Sequence, residues 1–331
     1  MAQLVLAIGT SHSPALASAA DEYGIHIERD KGRQMLDLDG LPCSYDDLLS
    51  RAGPEIAREI APEVIERRVA GCNAALARIS DELASARLDA LIVVGDDQGE
   101  QYFEDNMPAF LVYWGETIRN NPKILPDDAP AFWKKARAQF HELDRPRDYP
   151  VASKLGAHLI DHLVECEFDI SHARVLRHEI GEGHAFGFVH RRLMGGMGDA
   201  VIPILPVVLN TYFPPNQPRP GRCLALGRAI REGVERFDSA DRIGILASGG
   251  LSHFVVDEAL DRLVLDACRT GDGAALGAIP VHKLNSGNSE IRNWIAVAGA
   301  AENLATKWQD YQPCYRSPAG TGTGMGFAVW G

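Results

Sequence analysis

The sequence predicts an α/β fold, with one doubly wound, mostly parallel sheet and helices on both of its faces. Continuous apolar runs of strand length recur at 4–8, 88–95, 201–209 and 242–247, as expected of strands buried in a parallel sheet. Between these runs, apolar positions repeat every three or four residues, which is typical of helices that pack on a sheet. With 331 residues, 46% of them hydrophobic, the chain can bury a core of this kind.

The same patterns predict the remaining elements. Helices are expected from 62 to about 83, near 130–142, and at 151–165, 221–237, 258–269 and 285 to about 306; short strands are expected at 109–113 and at the end of the tail 320–331. The segment 179–187 is too rich in glycine for a helix interior and is predicted to be a loop. The prolines within 201–209 indicate an edge strand or a bulge.

Residues 17–60 are predicted to form a helical and loop insert outside the core. They are charged and rich in turn formers, such as Asp-Leu-Asp-Gly at 37–40. The remainder shows no internal repeat and no linker, so we expect a single domain, 1–331, with this insert near its N-terminus.

Composition excludes several classes of partner. A net charge of −12 argues against a nucleic-acid surface. No apolar run reaches the roughly 18 residues that span a bilayer, and the N-terminus lacks the basic start of a signal peptide. The six cysteines form no CxxC pair, which favours reduced thiols. We therefore expect a cytoplasmic protein that binds neither nucleic acid nor a membrane.

Polar residues follow the predicted strands where each one ends. His12 follows the first strand, Asp97 and Gln98 follow 88–95, and His253 follows 242–247. Ligands of open α/β sheets bind at the carboxyl ends of the strands, so these groups are expected to converge. The alternative for His12 is a loop position beside a serine that caps the next helix.

Two further residues join this set of candidates. His184 lies in the glycine-rich segment, and Glu290 lies in the predicted first turn of the last helix. Two histidines and a carboxylate with open positions suit a non-heme Fe(II) site that activates oxygen, and a further histidine suits proton transfer. Glu290 is explained equally well by favourable pairing with the helix dipole.

The motifs around these residues resemble those of a known enzyme superfamily. They are Gly-Thr-Ser-His-Ser-Pro at 9–14, Gly-His at 183–184, Gly-Gly-Leu-Ser-His at 249–253 and Ser-Gly-Asn-Ser-Glu at 286–290, followed by Trp294. In order and spacing they are similar to class III extradiol ring-cleavage dioxygenases of the protocatechuate 4,5-dioxygenase β-subunit type. The resemblance covers 1 to about 305. The insert and the Asn-Thr-Tyr-Phe-Pro-Pro-Asn-Gln-Pro loop at 210–218 look like the 3-O-methylgallate dioxygenase branch.

The resemblance implies a role for each matching residue. His12 corresponds to the first iron ligand and Glu290 to the carboxylate ligand. His253 corresponds to the histidine that transfers a proton, and His184 to a histidine that contacts the substrate hydroxyls. Tyr212, in the proline-rich loop, is a candidate wall of the substrate pocket, and a position in the core is the alternative.

Ser11, beside His12, is a second candidate for substrate contact. A substrate carboxylate requires a cation or backbone amides, and Arg29, Arg191 or a loop of amides are the alternatives.

One position departs from the superfamily pattern. Gln98 stands where the typical member has its second histidine ligand, and its carbonyl oxygen binds Fe(II) more weakly than an imidazole does. We expect a triad of His12, Gln98 and Glu290. The alternatives are that Asp97, His190 or His26 supplies the ligand, or that the site has lost its metal and the chain is an inactive binding paralogue.

The resemblance implies an Fe(II)-dependent extradiol dioxygenase that opens a catechol-type aromatic acid with O2. The expected substrates are of the 3-O-methylgallate, gallate or protocatechuate class, and a homodimer is the expected assembly. A metal-dependent hydrolase is the rival enzyme class, since His and Glu ligands also suit Zn2+ and an activated water.

Overall fold

A computed structural model describes residues 1–331, apart from the side chain of Ala20. The strands are β1 (Gln3–Thr10), β2 (Met35–Leu36), β3 (Pro42–Cys43), β4 (Ala90–Asp96), β5 (Phe110–Tyr113), β6 (Thr117–Asn120), β7 (Arg147–Pro150), β8 (Ser171–Ala173), β9 (Ile204–Leu209), β10 (Arg242–Ser248), β11 (His253–Val255), β12 (Thr306–Tyr315) and β13 (Thr321–Trp330). The α-helices are α1 (Gly24–Lys31), α2 (Tyr45–Arg51), α3 (Ile56–Glu59), α4 (Pro62–Ser85), α5 (Ala131–Arg137), α6 (Ser153–Glu165), α7 (His184–Phe188), α8 (Pro220–Arg236), α9 (Glu258–Thr270), α10 (Gly273–Gly277) and α11 (Ile291–Ala300). Short 3₁₀ or π-helical turns lie at Pro14–Ala17, Ala20–Tyr23, Val189–Leu193, Val281–Leu284 and Ser286–Glu290.

Nine strands form the central sheet. Their order is β11-β13-β1-β10-β4-β9-β5-β8, and β12 also pairs with β13. The centre is parallel, since β10 pairs in parallel with both β1 and β4, and β4 does so with β9. Antiparallel pairs flank this centre, between β1 and β13 and between β5 and β9. This confirms the predicted α/β class and its parallel central sheet.

Helices cover both faces of β4, which is buried along its whole length. A Cβ on Gly95 would contact Ala185 of α7, whereas the next side chain, Asp96, lies 3.3 Å from the Asn293 amide of α11. Successive side chains of a strand point to opposite faces, so α7 and α11 lie on opposite sides of the sheet. Burial on both faces explains why the sequence of this strand is a continuous apolar run.

The strand β9 is an inner strand, so the prediction of an edge or a bulge was wrong. It pairs with β4 on one side and with β5 on the other. The pairing with β5 includes residues 207–209 and stops before Pro206. The ladder with β5 therefore does not need the N–H that Pro206 lacks.

The last helix is shorter than predicted, and a strand follows it. The helix α11 ends at Ala300, and the unpredicted strand β12 begins at Thr306 and pairs along β13. The segment predicted as a loop at 179–187 also contains the start of α7, with His184 as its first residue. Across the described residues, no helix combines the length and apolar content needed to cross a bilayer.

Residues 17–60 contain α1, α2, α3 and the β2–β3 pair, and buried polar contacts tie them to distant segments. The carboxylate of Asp30 accepts two 2.7 Å hydrogen bonds from Arg316 and one of 2.6 Å from the Thr321 hydroxyl. His26 contacts the Ser18 hydroxyl at 2.9 Å and meets the Phe132 ring edge-on. The division into one domain with an insert at 17–60 stays a prediction.

Substituting Asp30→Asn should lower the free energy of unfolding by about 3 kcal/mol, because it leaves the poorly exposed Arg316 guanidinium without its anion. Denaturant titration measures the change. Asp46→Asn, on the exposed first turn of α2, is the matched control and should change little. Equal midpoints for both variants would show that the Asp30 contacts do not stabilise the fold.

The protein should become less stable as the pH falls, in part because of His26. Burial, with the charges of Arg316 and Arg29, lowers the pKa of His26 from 6.5 to about 4. Between these values the unfolded chain binds a proton that the folded chain does not, so this contribution is present above pH 6.5 and is lost as the pH falls towards 4. Over this whole range, the contribution of His26 to the free energy of unfolding falls by about 3 kcal/mol.

His26→Gln should therefore lose less stability than the parent protein between pH 6.5 and pH 4. His178→Gln, at an exposed imidazole, is the control and should follow the parent curve. Parallel curves for the His26 variant and the parent would contradict the expectation.

Candidate active site

The carboxyl ends of β1, β10 and β4 meet at one edge of the sheet because these strands are parallel neighbours. Thr10 of β1 pairs with Ser248 of β10, and β10 continues in register with β4. A cavity of about 460 Å³ opens beyond this edge. The predicted site residues that line it are His12, Gln98, His184, Tyr212, His253 and Glu290.

Ser11 lies apart from the cavity lining. Its side chain is buried, and its hydroxyl oxygen accepts a hydrogen bond of 2.9 Å from the Gly326 amide of β13. This contact ties the end of β1 to β13, so the geometry does not support the predicted contact with substrate.

The imidazole of His12 is held in one tautomer by Ser248. The Ser248 hydroxyl donates to the carbonyl oxygen of Ala185 at 2.7 Å, so it accepts from Nδ1–H of His12, which lies 3.2 Å away. The Nε2 lone pair of His12 is thereby left free. Burial, together with the charges of His184 and His253, lowers the pKa of His12 well below its usual range. His12 is therefore a neutral imidazole, the form that binds metals.

The imidazole of His184 is oriented by Glu100. A carboxylate oxygen of Glu100 lies 2.8 Å from Nδ1, and the backbone N–H of His184 donates to the same carboxylate. The Nε2 atom is buried without a hydrogen-bond partner among the described residues. Burial alone would lower the pKa of His184, but the charge and hydrogen bond of Glu100, helped by Asp96 and Glu290, raise it to about 10.

Glu290 lines the cavity from the last position of the 3₁₀ turn Ser286–Glu290. It directly precedes α11, whereas the sequence predicted it within the first turn of that helix. Its Oε2 accepts a 2.6 Å hydrogen bond from the Gly250 amide, and its Oε1 accepts one of 3.1 Å from the Gln98 amide. Burial raises the pKa of Glu290, although these hydrogen bonds and His184 act in the opposite direction.

The donor atoms of His12, His184 and Glu290 all lie within 4.8 Å of one another. They supply a neutral imidazole, an imidazole nitrogen that has no other partner, and a carboxylate. A divalent metal at this point would give the buried Nε2 of His184 the partner it lacks, and mixed N/O donors suit Fe(II) and Zn2+. These three residues could therefore hold a metal ion.

Gln98 contacts the carboxylates rather than completing this group of donors. Its amide nitrogen lies 3.1 Å from Glu290 and 3.4 Å from Asp96. It therefore acts as a hydrogen-bond donor in this arrangement. The predicted coordination of a metal by its carbonyl oxygen stays untested.

The other predicted alternatives for the missing ligand have partners of their own. The Asp97 carboxylate accepts backbone N–H groups of residues 99–102, which shapes the loop after β4. His190 is buried against the Glu182 carboxylate at 2.9 Å and stacks on Tyr149. His26 lines the cavity but contacts Ser18, as described above.

His253 lies beside the three donors as a neutral imidazole. Nδ1 lies 2.9 Å from the Leu251 carbonyl, which can only accept, so the proton is on Nδ1 and the Nε2 lone pair is free. That Nε2 lies 3.7 Å from Glu290. Burial lowers the pKa of His253 to about 4. This nitrogen is thus available to accept a proton from a group bound in the cavity.

The backbone around His253 is shaped to hold its ring. A Cβ on Gly250 or on Gly287 would overlap the His253 side chain, so only glycine leaves room at these two positions. The next residue, Phe254, has a φ of 67°, a left-handed conformation that a bulky residue adopts at a cost of about 1–3 kcal/mol. Such strain is concentrated at functional sites and fits a backbone shaped to place His253.

A family comparison supports this reading of the cavity. The family model described as the catalytic LigB subunit of aromatic ring-opening dioxygenase matches residues 53–326. The chain belongs to this family. The LigB match includes Gln98, His184, His253 and Glu290, and it begins after His12. It confirms the superfamily named from the motifs, whereas the 3-O-methylgallate branch stays a prediction.

A curated relative of this LigB-family chain is a 2,3-dihydroxyphenylpropionate/2,3-dihydroxicinnamic acid 1,2-dioxygenase of Comamonas testosteroni. The two are 26% identical over 189 residues, which is 57% of this chain and 48% of the relative. The chain thus spans about half the length of that relative.

Sequence reasoning missed the groups that orient the two histidines. Glu100 follows Gln98 by two positions, at the same polar strand end, and Ser248 opens the Ser-Gly-Gly turn before His253. Both residues lie next to recognised motifs, but a polar residue at a strand end does not show which histidine it contacts. Only the fold shows these pairings, which join residues 84 and 236 positions apart.

Ser248→Ala and Glu100→Gln should each weaken divalent-metal binding by about 10–100-fold, because each removes the partner that orients a histidine. Competition with a chromophoric chelator measures the affinity. Ser80→Ala, which removes a hydroxyl that donates to a helix carbonyl in α4, is the control and should leave it unchanged. Metal binding that survives both site variants intact would show that the histidines are not the donors.

Proposed function

We propose that this LigB-family chain is an Fe(II)-dependent extradiol dioxygenase that opens the ring of a catechol-type aromatic acid with O2. The convergence of His12, His184 and Glu290 donor atoms within 4.8 Å, in a cavity also lined by His253, carries the proposal. Substrates of the 3-O-methylgallate, gallate or protocatechuate class fit this assignment. The name of the curated relative adds 2,3-dihydroxyphenylpropionate as a candidate.

The proposed metal ligands are Nε2 of His12, Nε2 of His184 and the Glu290 carboxylate. Two histidines and one carboxylate with open positions make up the ligand set of non-heme Fe(II) oxygenases. In this assignment His184, and not Gln98, is the second nitrogen ligand of the metal. Gln98 instead orients the Glu290 carboxylate through its hydrogen bond. When bound, Fe(II) supplies a redox-active centre to which O2 and the two adjacent substrate oxygens have access together.

His253 is the proposed acid–base group. Its Nδ1–H is bound to the Leu251 carbonyl, so proton exchange takes place at Nε2, which faces Glu290 at 3.7 Å. That nitrogen accepts a proton from a substrate hydroxyl and returns it to the oxygen atom that is freed when the O–O bond breaks. The positions of Gly250 and Gly287 keep the ring in this orientation.

Aromatic side chains form the dry walls of the proposed site. Phe140 and Phe188 lie with their ring centroids 5.8 and 5.3 Å from that of His12, and they exclude water from that side of the donors. Tyr212 also lines the cavity and offers a face on which a planar substrate ring can stack. A cavity of about 460 Å³ is in the usual range for small-molecule sites.

The direct test loads the purified full chain with Fe(II) or with Zn2+ under anaerobic conditions and then adds O2. The substrate panel is 3-O-methylgallate, gallate, protocatechuate, 2,3-dihydroxyphenylpropionate and catechol. We expect equimolar uptake of O2 and substrate, with a coloured ring-opened product, in the Fe(II) form alone.

Other outcomes would select the rival functions. Turnover without O2 would indicate a metal-dependent hydrolase. Metal binding without turnover of any of these compounds would indicate an inactive binding paralogue.

The ligand assignment predicts an order of iron affinities. His184→Ala should weaken Fe(II) binding more than the roughly 10–100-fold cost of losing a supporting hydrogen bond, whereas Gln98→Ala should cost no more than that. Anaerobic equilibrium titration measures both. Because Gln98 occupies the position of a histidine in the family pattern, the reverse order would make Gln98 the ligand and His184 a substrate contact.

A further inference from the structure

The cavity that holds the proposed metal site is rich in cations, although the chain carries a net charge of −12. Its cationic lining residues are Arg29, Arg33, Lys123, Arg137 and Arg316, and its carboxylates are Asp30, Glu100 and Glu290. Basic residues in an acidic protein are expected on the surface, paired with acids. Their concentration around one cavity points to an anionic occupant.

The carboxylates of the cavity are already engaged. Asp30 holds Arg316 in a bidentate pair at 2.7 Å. Glu100 contacts His184, and Glu290 accepts hydrogen bonds from Gly250 and Gln98. In the part of the chain that the structure describes, no ion pair joins an acid to the other cations of the cavity, Arg29, Arg33, Lys123 and Arg137.

Arg29 and Arg33 lie over aromatic rings instead of carboxylates. The Arg29 guanidinium is 4.5 Å from the Trp133 ring centroid, and that of Arg33 is 4.1 Å from the Phe254 centroid. Stacking fixes the plane of a guanidinium and leaves its N–H edge free to bind a carboxylate. Among the described side chains, neither forms an ion pair.

The two guanidiniums are close enough to repel each other. Partial burial lowers the pKa of Arg29, and the charges of Arg33 and Arg316 lower it further, while the charge of Asp30 acts in the opposite direction. Like charges gathered in this way are stabilised by an anion bound between them. The site thus has the electrostatics of an anion receptor.

Arg33 is also near the groups proposed to carry the chemistry. It stacks on Phe254, the residue that follows His253. Tyr212 lines the same cavity as the donor cluster and the two arginines. A planar ring that lies in this cavity with its diol at the donor cluster can therefore present a carboxylate to Arg33 and Arg29.

We propose that Arg29 and Arg33 form an anion subsite that binds the carboxylate of the aromatic substrate. This rests on the proposed function, because it places the diol of the same molecule at His12, His184 and Glu290. Both arginines precede the family match at residues 53–326 and belong to the segment predicted as an insert. On this assignment, residues outside the matched range supply the selectivity for acids over neutral catechols.

The test compares an acid with its uncharged counterpart in Arg29→Gln, Arg33→Gln and the double variant. For the acid that the parent enzyme opens, KM should rise about 10-fold or more, the usual effect of losing a charged hydrogen bond, with kcat nearly unchanged. The KM of the methyl ester of that acid should stay the same. Arg33→Lys should restore part of the affinity, because it keeps the charge.

Arg58→Gln, at an exposed position in the same segment, is the matched control and should behave as the parent. Equal effects on acid and ester, or an unchanged KM for the acid, would overturn the subsite. Thermal melting of each variant separates loss of the subsite from loss of the fold, and the ester then reports the integrity of the active site.

A binding measurement keeps this inference separate from the proposed reaction. Calorimetry compares 4-hydroxybenzoate with 4-hydroxybenzamide, neither of which has the diol that the reaction requires. The acid should bind the parent more tightly than the amide, and the double variant should lose that preference. If no compound is turned over but the preference holds, the proposed function fails and the anion subsite stands; if the parent shows no preference for the acid, the subsite fails.

Discussion

The parallel register of β1, β10 and β4 is the constraint on which the rest of the site depends. With β10 between its two neighbours, the chain must deliver His12, Ser248 and Asp96 to the same edge. The fourth contributor, Glu290, directly precedes α11, which packs on this sheet through the buried Trp294 and Asn293. A shift of one residue in either of these pairings would turn the side chains at these strand ends to the other face.

Burial sets the charge states at this edge. Burial disfavours the charged forms of His12 and His253, so each is a neutral imidazole with its one proton on Nδ1, whereas His184 keeps its positive charge because Glu100 compensates it. Burial also raises the pKa of Asp96 and Glu290, which lie close enough to repel each other. A divalent cation at this point would relieve that repulsion and replace the proton on His184, so the arrangement is electrostatically complementary to a metal.

Much of this fold could be predicted, because the buried strands and amphipathic helices leave strong local patterns. The strand ends before His12 and His253, and the helix from Pro62, follow from apolar periodicity. The contacts that complete the site leave no such pattern. Asp30 and Arg316 are 286 residues apart, and the role of Gln98 depends on where Glu290 lies. Periodicity also could not show that Pro206 lies in an inner strand. A proline is tolerated there because the pairing with β5 stops before it, and the sequence does not show where that pairing stops.

The central claim is that His12, His184 and Glu290 hold the metal while Gln98 supports Glu290. The most direct measurement is a crystal structure of the protein loaded with Fe(II) without oxygen, in which anomalous scattering locates the iron. We predict iron bonded to Nε2 of both histidines and to the Glu290 carboxylate at about 2.0–2.2 Å, the range typical of such ligands to divalent metals. Iron bound to the Gln98 carbonyl without His184, or bound outside this cavity, would contradict the claim.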